Sequence, residues 1–327
     1  MNGTNGASSQ DPARASATTD AKFDLDLSSR GARCRQVIAA RTPTVDLPLI
    51  RAFALDEADI EDLRFAVLVY LWQCAGALGF RLRMPESAQW FFDHGELLKS
   101  LPNVTPNGLV LAKRETIPSY NLLHQTTAQI MRRYLNEREV AAIHAPINVR
   151  LVDGRPNEAV DSRPRAAVKM HSDIWAAEPS HSLAVFLPVL GDIEETSVEF
   201  VEPAQFPPEL QRPLEDFSIG ARGVPAGRVY PFVFMKNHLI TMDSLCLHRT
   251  IKAGARLRLS IDFRILYRHR LPSDLYLDSP RLSNYVSPQI WYGIGETYMV
   301  ASRASVHDAV ADVTANSYAS RYDISGL

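Results

Sequence analysis

Two textures divide this chain. From 45 to 140 the apolar positions recur at helical spacing. Leu63, Val67 and Leu71 follow the acids Asp56, Glu57 and Asp59, which suit a helix N-terminus. Leu122, Leu123, Ile130, Met131 and Leu135 predict a second helix over 121–136. Pro102, Pro106 and Pro118 punctuate the connection. From about 146 the period drops to two. Alternating runs at 147–152, 167–171, 183–189, 197–201, 230–235, 239–243 and 255–266 predict short strands separated by turn residues, a β-sandwich or barrel pattern. The last run is the clearest. Leu257, Leu259, Ile261, Phe263 and Ile265 fall on one face, and Arg256, Arg258, Ser260, Asp262 and Arg264 on the other.

Between two of these strands, 202–229 is dense in proline and glycine and lacks periodicity. A loop of that length inside a domain is usually functional, and a lid over a site is the expectation. The lead-in 1–22 is small and polar with no apolar core, so disorder rather than a signal peptide is expected there. The parts expected are therefore a lead-in at 1–22, a mostly helical part at 23–145, a β core at 146–268 carrying the insertion 202–229, and a mixed extension at 269–327 with a short helix near 306–315.

Composition narrows the classes. With 35 Lys and Arg against 37 Asp and Glu, the 327 residues carry a net charge of −2, which gives no footprint for nucleic acid or an anionic membrane. The apolar run 65–80 is broken by Gln73, flanked by Arg64 and Arg81, and shorter than the ~20 residues of a bilayer span, so a buried helix is expected. Cys34, Cys74 and Cys246 share no metal or disulfide spacing; reduced thiols and a cytoplasmic location are expected. Glycine-rich phosphate loops and a G-x-S-x-G elbow are absent.

The chemistry-bearing residues are His171-Ser172-Asp173, then His248, then Arg258-Leu259-Ser260. The pattern places His171 at the end of a strand, on the face of Lys169, with Asp173 in the turn beyond. Two neutral imidazoles and one carboxylate make a facial triad, leaving three adjacent positions open on octahedral iron(II). His94-Gly95-Glu96 is a second H-x-E pair, but no strand leads into it.

The order H-x-D, H, R-x-S resembles the Fe(II)/2-oxoglutarate-dependent dioxygenase superfamily over roughly 146–268, and HSDIWAAEPSHSLAVFLPV looks like members acting on small natural products or sugars. The resemblance implies a mainly β fold with flanking helices: a double-stranded β-helix (jelly-roll, cupin-like) core behind an N-terminal helical region. It implies that His171, Asp173 and His248 ligate Fe(II), that Arg258 pairs with the distal carboxylate of the co-substrate 2-oxoglutarate, and that Ser260 hydrogen-bonds it. Arg256 and Arg264 share the face of Arg258 and remain alternative anchors. O2 is the oxidant, succinate and carbon dioxide are by-products, and an unactivated C–H bond of a small molecule is oxidised. The carboxylate at Asp173 fills the position that related halogenases leave open for halide, which favours hydroxylation, desaturation or ring closure. Asn148, Arg150, Lys169, Trp175 and Arg264 are candidate substrate-pocket residues. Two other readings stay open: a JmjC-like protein hydroxylase or demethylase, and a cupin-like module without 2-oxoglutarate chemistry.

Overall fold

The computed structural model describes residues 27–38, 41–225, 227–231, 233–268, 281–308 and 322–327. The lead-in 1–22 and most of the helix expected at 306–315 lie outside them. In chain order the elements are α1 (Leu27–Val37), β1 (Val45–Asp46), β2 (Ile50–Ala54), α2 (Glu57–Ala77), α3 (Gln89–Lys99), β3 (Leu109–Val110), α4 (Ile117–Met131), β4 (Val140–His144) and β5 (Asn148–Asp153). There follow α5 (Glu158–Asp161), β6 (Ser182–Gly191), β7 (Val198–Glu202), α6 (Phe217–Gly223), β8 (Arg228–Val229), β9 (His238–Asp243), β10 (Leu247–Thr250) and β11 (Leu257–Tyr267). The chain closes with β12 (Tyr285–Val286), α7 (Pro288–Gly293), β13 (Tyr298–Ser302) and β14 (Tyr322–Gly326).

The apolar run 65–80 forms the body of α2, which buries Leu63, Val67 and Leu71 among others. The helix stops at Gly79, whose φ of +88° places it in the left-handed region. Gly79 N–H donates to the Gly76 carbonyl and Phe80 N–H to the Ala75 carbonyl, the paired bonds of a Schellman cap. Among the described residues, no helix is long and apolar enough to cross a membrane.

Strand β11 is the spine of a nine-stranded antiparallel sheet. One of its edges pairs with β6; the other pairs first with β5 and then with β4. Between β4 and β5 the Ala145–Pro146 peptide is cis. A smaller sheet, β10-β7-β8, lies apart. The alternation in β11 sorts its side chains as expected. Leu257, Leu259, Ile261, Phe263 and Ile265 join the main core with residues of α2, α4 and α7. Each such side chain contributes about 1.5–3 kcal/mol on burial. Arg258, Ser260, Asp262 and Arg264 are also buried, but on the opposite face. A second cluster, including Ala184 and Phe186 of β6, Val198 and Phe200 of β7 and Ile240 and Met242 of β9, joins the two sheets. The result is helices on a large sheet, with a small sheet on its other side, a mixed α/β arrangement around an antiparallel sandwich.

The structure departs from the sequence pattern in four places. The part expected to be mostly helical supplies strands: β2 pairs with β9, and β3 pairs with β5. The stretch 167–171 is not a strand: it is built of turns, tied to β10 by the bridge from His171 to His248 and by Thr250 N–H on the Ala167 carbonyl. The strand expected at 230–235 is replaced by β8 two residues earlier, with Tyr230 N–H bonded to the Phe200 carbonyl just beyond it. The segment 202–229 is more ordered than its composition predicts. It carries α6 and a 3-10 turn, Pro208–Leu210, and packs Phe206, Leu210, Leu214, Phe217 and Val224 around Ile174 and Trp175.

Candidate metal centre

His171 and His248 are joined main chain to main chain. His171 N–H donates to the His248 carbonyl at 2.9 Å, and His248 N–H returns the bond at 2.8 Å. This reciprocal pair sets the two imidazoles side by side, with ring centroids 4.2 Å apart. Ser172 continues the anchorage by donating to the Ser244 carbonyl at 2.6 Å. Asp173 then opens a 3-10 turn, Asp173–Ala176, which swings its carboxylate back toward the histidines. One ligand atom from each of His171, Asp173 and His248 lies within 4.8 Å of the others, and all three residues are buried. His248 Nε2 stands 3.8 Å from Asp173 Oδ1.

The protonation pattern suits a cation. His171 Nδ1 lies 2.7 Å from the Lys169 carbonyl and His248 Nδ1 lies 3.4 Å from that of Cys246, two residues upstream in each case. A carbonyl at Nδ1 calls for a proton there, which leaves each Nε2 lone pair for a metal. Burial, and then the neighbouring His248, lower the His171 pKa to about 3; burial likewise lowers that of His248. Burial alone would raise the Asp173 carboxyl, but Arg264 outweighs it and holds the pKa at about 2. The site is thus two neutral imidazoles and one carboxylate.

The polar face of β11 extends from these ligands along a cavity of about 230 Å³, which Phe186, Phe217 and Phe234 also line. Arg264 donates to both oxygens of Asp173 and to Asp262. Asp262 also accepts from Asn148 at 2.9 Å and Arg150 at 2.8 Å, residues of the adjacent strand β5. Arg150 and Arg264 outweigh the burial that would raise the Asp262 carboxyl and keep it well below the usual carboxylate range. Arg258 differs. It is 2% exposed, donates through Nη1 to the Thr196 and Ser197 carbonyls, and lies 4.8 Å over the Phe234 ring. Its Nε has no partner, and among the described residues no carboxylate pairs with it. Burial, and then the charge of Arg150, pull its guanidinium down to about 9. A buried cation without a counter-ion is costly, and a bound carboxylate answers that cost.

The candidate residues fall into two groups. His171, Asp173, His248, Arg258, Ser260, Asn148, Arg150 and Arg264 all line the cavity. Lys169 and Trp175 do not. Lys169 pairs with Asp216 at 3.3 Å, because the turn that replaces its expected strand aims it elsewhere. Trp175 is fully buried in the cluster beneath 202–229, with its indole N–H on the Leu210 carbonyl. Arg256 is exposed, whereas Arg258 and Arg264 are buried. His94 stacks on Trp90 in α3, and Glu96 pairs with Lys99 and Arg155, so that H-x-E pair does not gather a metal site. Asp243 accepts from Leu245 N–H in the turn before β10 and pairs with Arg30 of α1 at 2.9 Å.

Several further residues line the cavity. Phe217 stacks on His171 with centroids 4.5 Å apart. Glu178, Arg281, His144, Asn107, Arg163 and Arg165 also reach the cavity. Most of these sit in turns, where no periodicity marks them; Asp262, on the polar face of β11, was the one with a visible signal.

No protein-family model and no curated protein matches this chain. Solved structures do resemble it. SnoN, a non-heme alpha ketoglutarate dependent epimerase from nogalamycin biosynthesis, is 14% identical; the match covers 76% of this chain and 88% of that one, with a TM-score of 0.37. SnoK, a non-heme alpha ketoglutarate dependent carbocyclase of the same biosynthesis, is 10% identical over 73% and 83% of the two chains, with a TM-score of 0.34. AviO1 from Streptomyces viridochromogenes Tue57 is 15% identical over 76% and 98%, with a TM-score of 0.39. SnoN also occurs in a complex with Fe3+, alpha ketoglutarate and nogalamycin RO. The identities and TM-scores are low, and the function proposed for this chain rests on its own site residues.

Proposed function

We propose that this chain is an Fe(II)- and 2-oxoglutarate-dependent oxygenase with a jelly-roll-type core, acting on a C–H bond of a small molecule from specialised metabolism. One observation carries the reading: a buried His-Asp-His trio shares a cavity with Arg258, a buried guanidinium without an acidic partner among the described residues. His171 and His248 would hold iron through Nε2, and Asp173 through a carboxylate oxygen. Arg258 would take the distal carboxylate of 2-oxoglutarate, with Ser260 beside it on the same strand face. Arg264 is committed to Asp173 and Asp262, which makes it the weaker anchor.

The bound iron and 2-oxoglutarate supply the oxidising power, as 2-oxoglutarate and O2 give succinate and carbon dioxide. The protein's share is positional. Two backbone carbonyls fix the imidazole tautomers, and Arg264 fixes the carboxylate. Phe186, Phe217 and Phe234 exclude water from the reacting region. The segment 202–229, which contributes Phe217, is the cover of this site. Hydroxylation, desaturation and ring closure are the outcomes in keeping with a carboxylate at Asp173. A cytoplasmic location belongs to the same proposal, supported by three cysteines buried without a disulfide. The test is succinate release in air: it should require both iron(II) and 2-oxoglutarate and vanish in Asp173→Ala. Release that persists in that variant would overturn the proposal.

A further inference from the structure

A second wall of the cavity gathers three arginines around Asn107. Arg150 Nη1 donates to the Asn107 backbone carbonyl at 3.3 Å, and Arg163 Nη2 donates to Asn107 Oδ1 at 2.7 Å. Asn107 Nδ2 in turn donates to the Arg165 carbonyl at 3.3 Å. All four residues line the cavity. The carboxylate that pairs with Arg150 is Asp262, and it is shared with Arg264. Arg165 directs Nε to the Leu214 carbonyl at 2.8 Å and forms no ion pair among the described residues. The Arg150 and Arg163 guanidinium groups meet at Asn107, and that of Arg165 turns to Leu214 from the same wall, so an anion in the cavity is attracted by like charges from neighbouring positions. A guanidinium is also a planar fork suited to carboxylate and phosphate oxygens.

The wall stands next to the metal ligands. Phe217 N–H donates to the Pro164 carbonyl at 3.1 Å, beside Arg165, while the Phe217 ring stacks on His171. Phe217 therefore bridges the arginine turn, through its main chain, and His171, through its ring. Arg258 answers the distal carboxylate of 2-oxoglutarate, which leaves this second cationic wall for a different anion.

We infer that the Arg150–Arg163–Arg165 wall binds an acidic group of the substrate, a carboxylate or a phosphate monoester, so that the substrate is a small organic acid whose apolar body lies along Phe217. The word substrate rests on the oxygenase reading; anion binding by the wall does not.

The test is calorimetric titration of the full-length protein with three aromatic probes: benzoate, phenyl phosphate and neutral benzamide. The protein is saturated with iron(II) and 2-oxoglutarate without O2, so that Arg258 is occupied. A parallel series uses Arg258→Gln protein with neither iron nor 2-oxoglutarate, which reads the wall even if the oxygenase proposal fails. At least one anion should bind ten times or more tightly than benzamide in both series. Arg165→Gln should remove most of that preference while leaving benzamide unchanged, and Arg165→Lys should restore part of it. The tighter of the two anions identifies the acid type. Equal binding of anions and benzamide, or an undiminished anion preference in Arg165→Gln, would overturn the inference. Should Arg165→Gln fail to fold, the ratio of anion to benzamide affinity in the unmodified protein still decides.

Discussion

Arg264 grips Asp173 by both oxygens, Nε to Oδ2 and Nη2 to Oδ1, each at 3.0 Å. An ionised carboxylate has about four lone-pair sites, so this grip leaves room for a metal bond on the same group. The arginine orients the carboxylate and neutralises part of its charge. Removing one partner of a buried pair costs on the order of 3–5 kcal/mol, because the other is left uncompensated. Arg264→Gln is expected to lower unfolding stability by that order in urea titrations. Iron(II) supplies the missing positive charge, so it should stabilise Arg264→Gln more than the unmodified protein. Equal stabilisation of the two would show that Arg264 does not serve Asp173.

Among the described residues Arg258 makes no comparable ion pair. Replacing it with glutamine should leave iron(II) affinity unchanged and raise the 2-oxoglutarate concentration needed for half-saturation. A charge-assisted pair in a buried site is worth on the order of 3 kcal/mol, roughly a hundredfold in affinity. An unchanged requirement would transfer the anchoring role to Arg264.

Gly220 sits where α6 crosses Trp175. A Cβ at that position would lie 2.5 Å from Trp175 Cζ2, inside a fully buried ring. Gly220→Ala must therefore push α6 off Trp175 and disturb the Phe217 ring on His171. A loss of about 1–3 kcal/mol is expected, the usual range for overpacking. Limited proteolysis should cleave 202–229 sooner in the variant, and an unaltered cleavage rate would mean that the segment is not held by this contact.

His124 supplies a pH signature away from the His171–Asp173–His248 trio. It is fully buried in α4, with Nε2 at 3.0 Å from the Trp291 carbonyl and Nδ1 without a partner. Burial lowers its pKa from 6.5 to about 4. The unfolded chain then binds a proton between those values that the folded chain does not, so stability is full above about pH 6.5 and falls as pH drops toward 4. The His124 share of that loss between pH 7 and 5 is about 2 kcal/mol. Urea titrations at both pH values should show His124→Gln losing less stability than the unmodified protein by that amount; equal losses would contradict it.

The legible parts of this protein were those with a period. Strand β11 announced both faces, and the structure fills one with core and the other with the cavity. The run 65–80 announced the body of α2. The trio at His171, Asp173 and His248 is legible as candidate chemistry, but its support differs from the pattern. His171 is held by one two-way bond to His248 rather than by a strand of its own. Strand β2 was missed because Ile50–Ala54 is short and sits among helical signals, although Pro48 marks a break before it. Asn107, Arg163 and Arg165 come from turns whose meeting depends on tertiary contacts, so nothing local marks them.

The most direct measurement is the visible spectrum after anaerobic addition of iron(II) and 2-oxoglutarate. The account predicts a metal-to-ligand charge-transfer band in the unmodified protein. The band should be lost in His171→Ala and Asp173→Ala, with far-ultraviolet circular dichroism unchanged. Folded, metal-loaded protein without the band, or a normal band in both variants, would contradict the assignment of His171, Asp173 and His248 as the iron ligands.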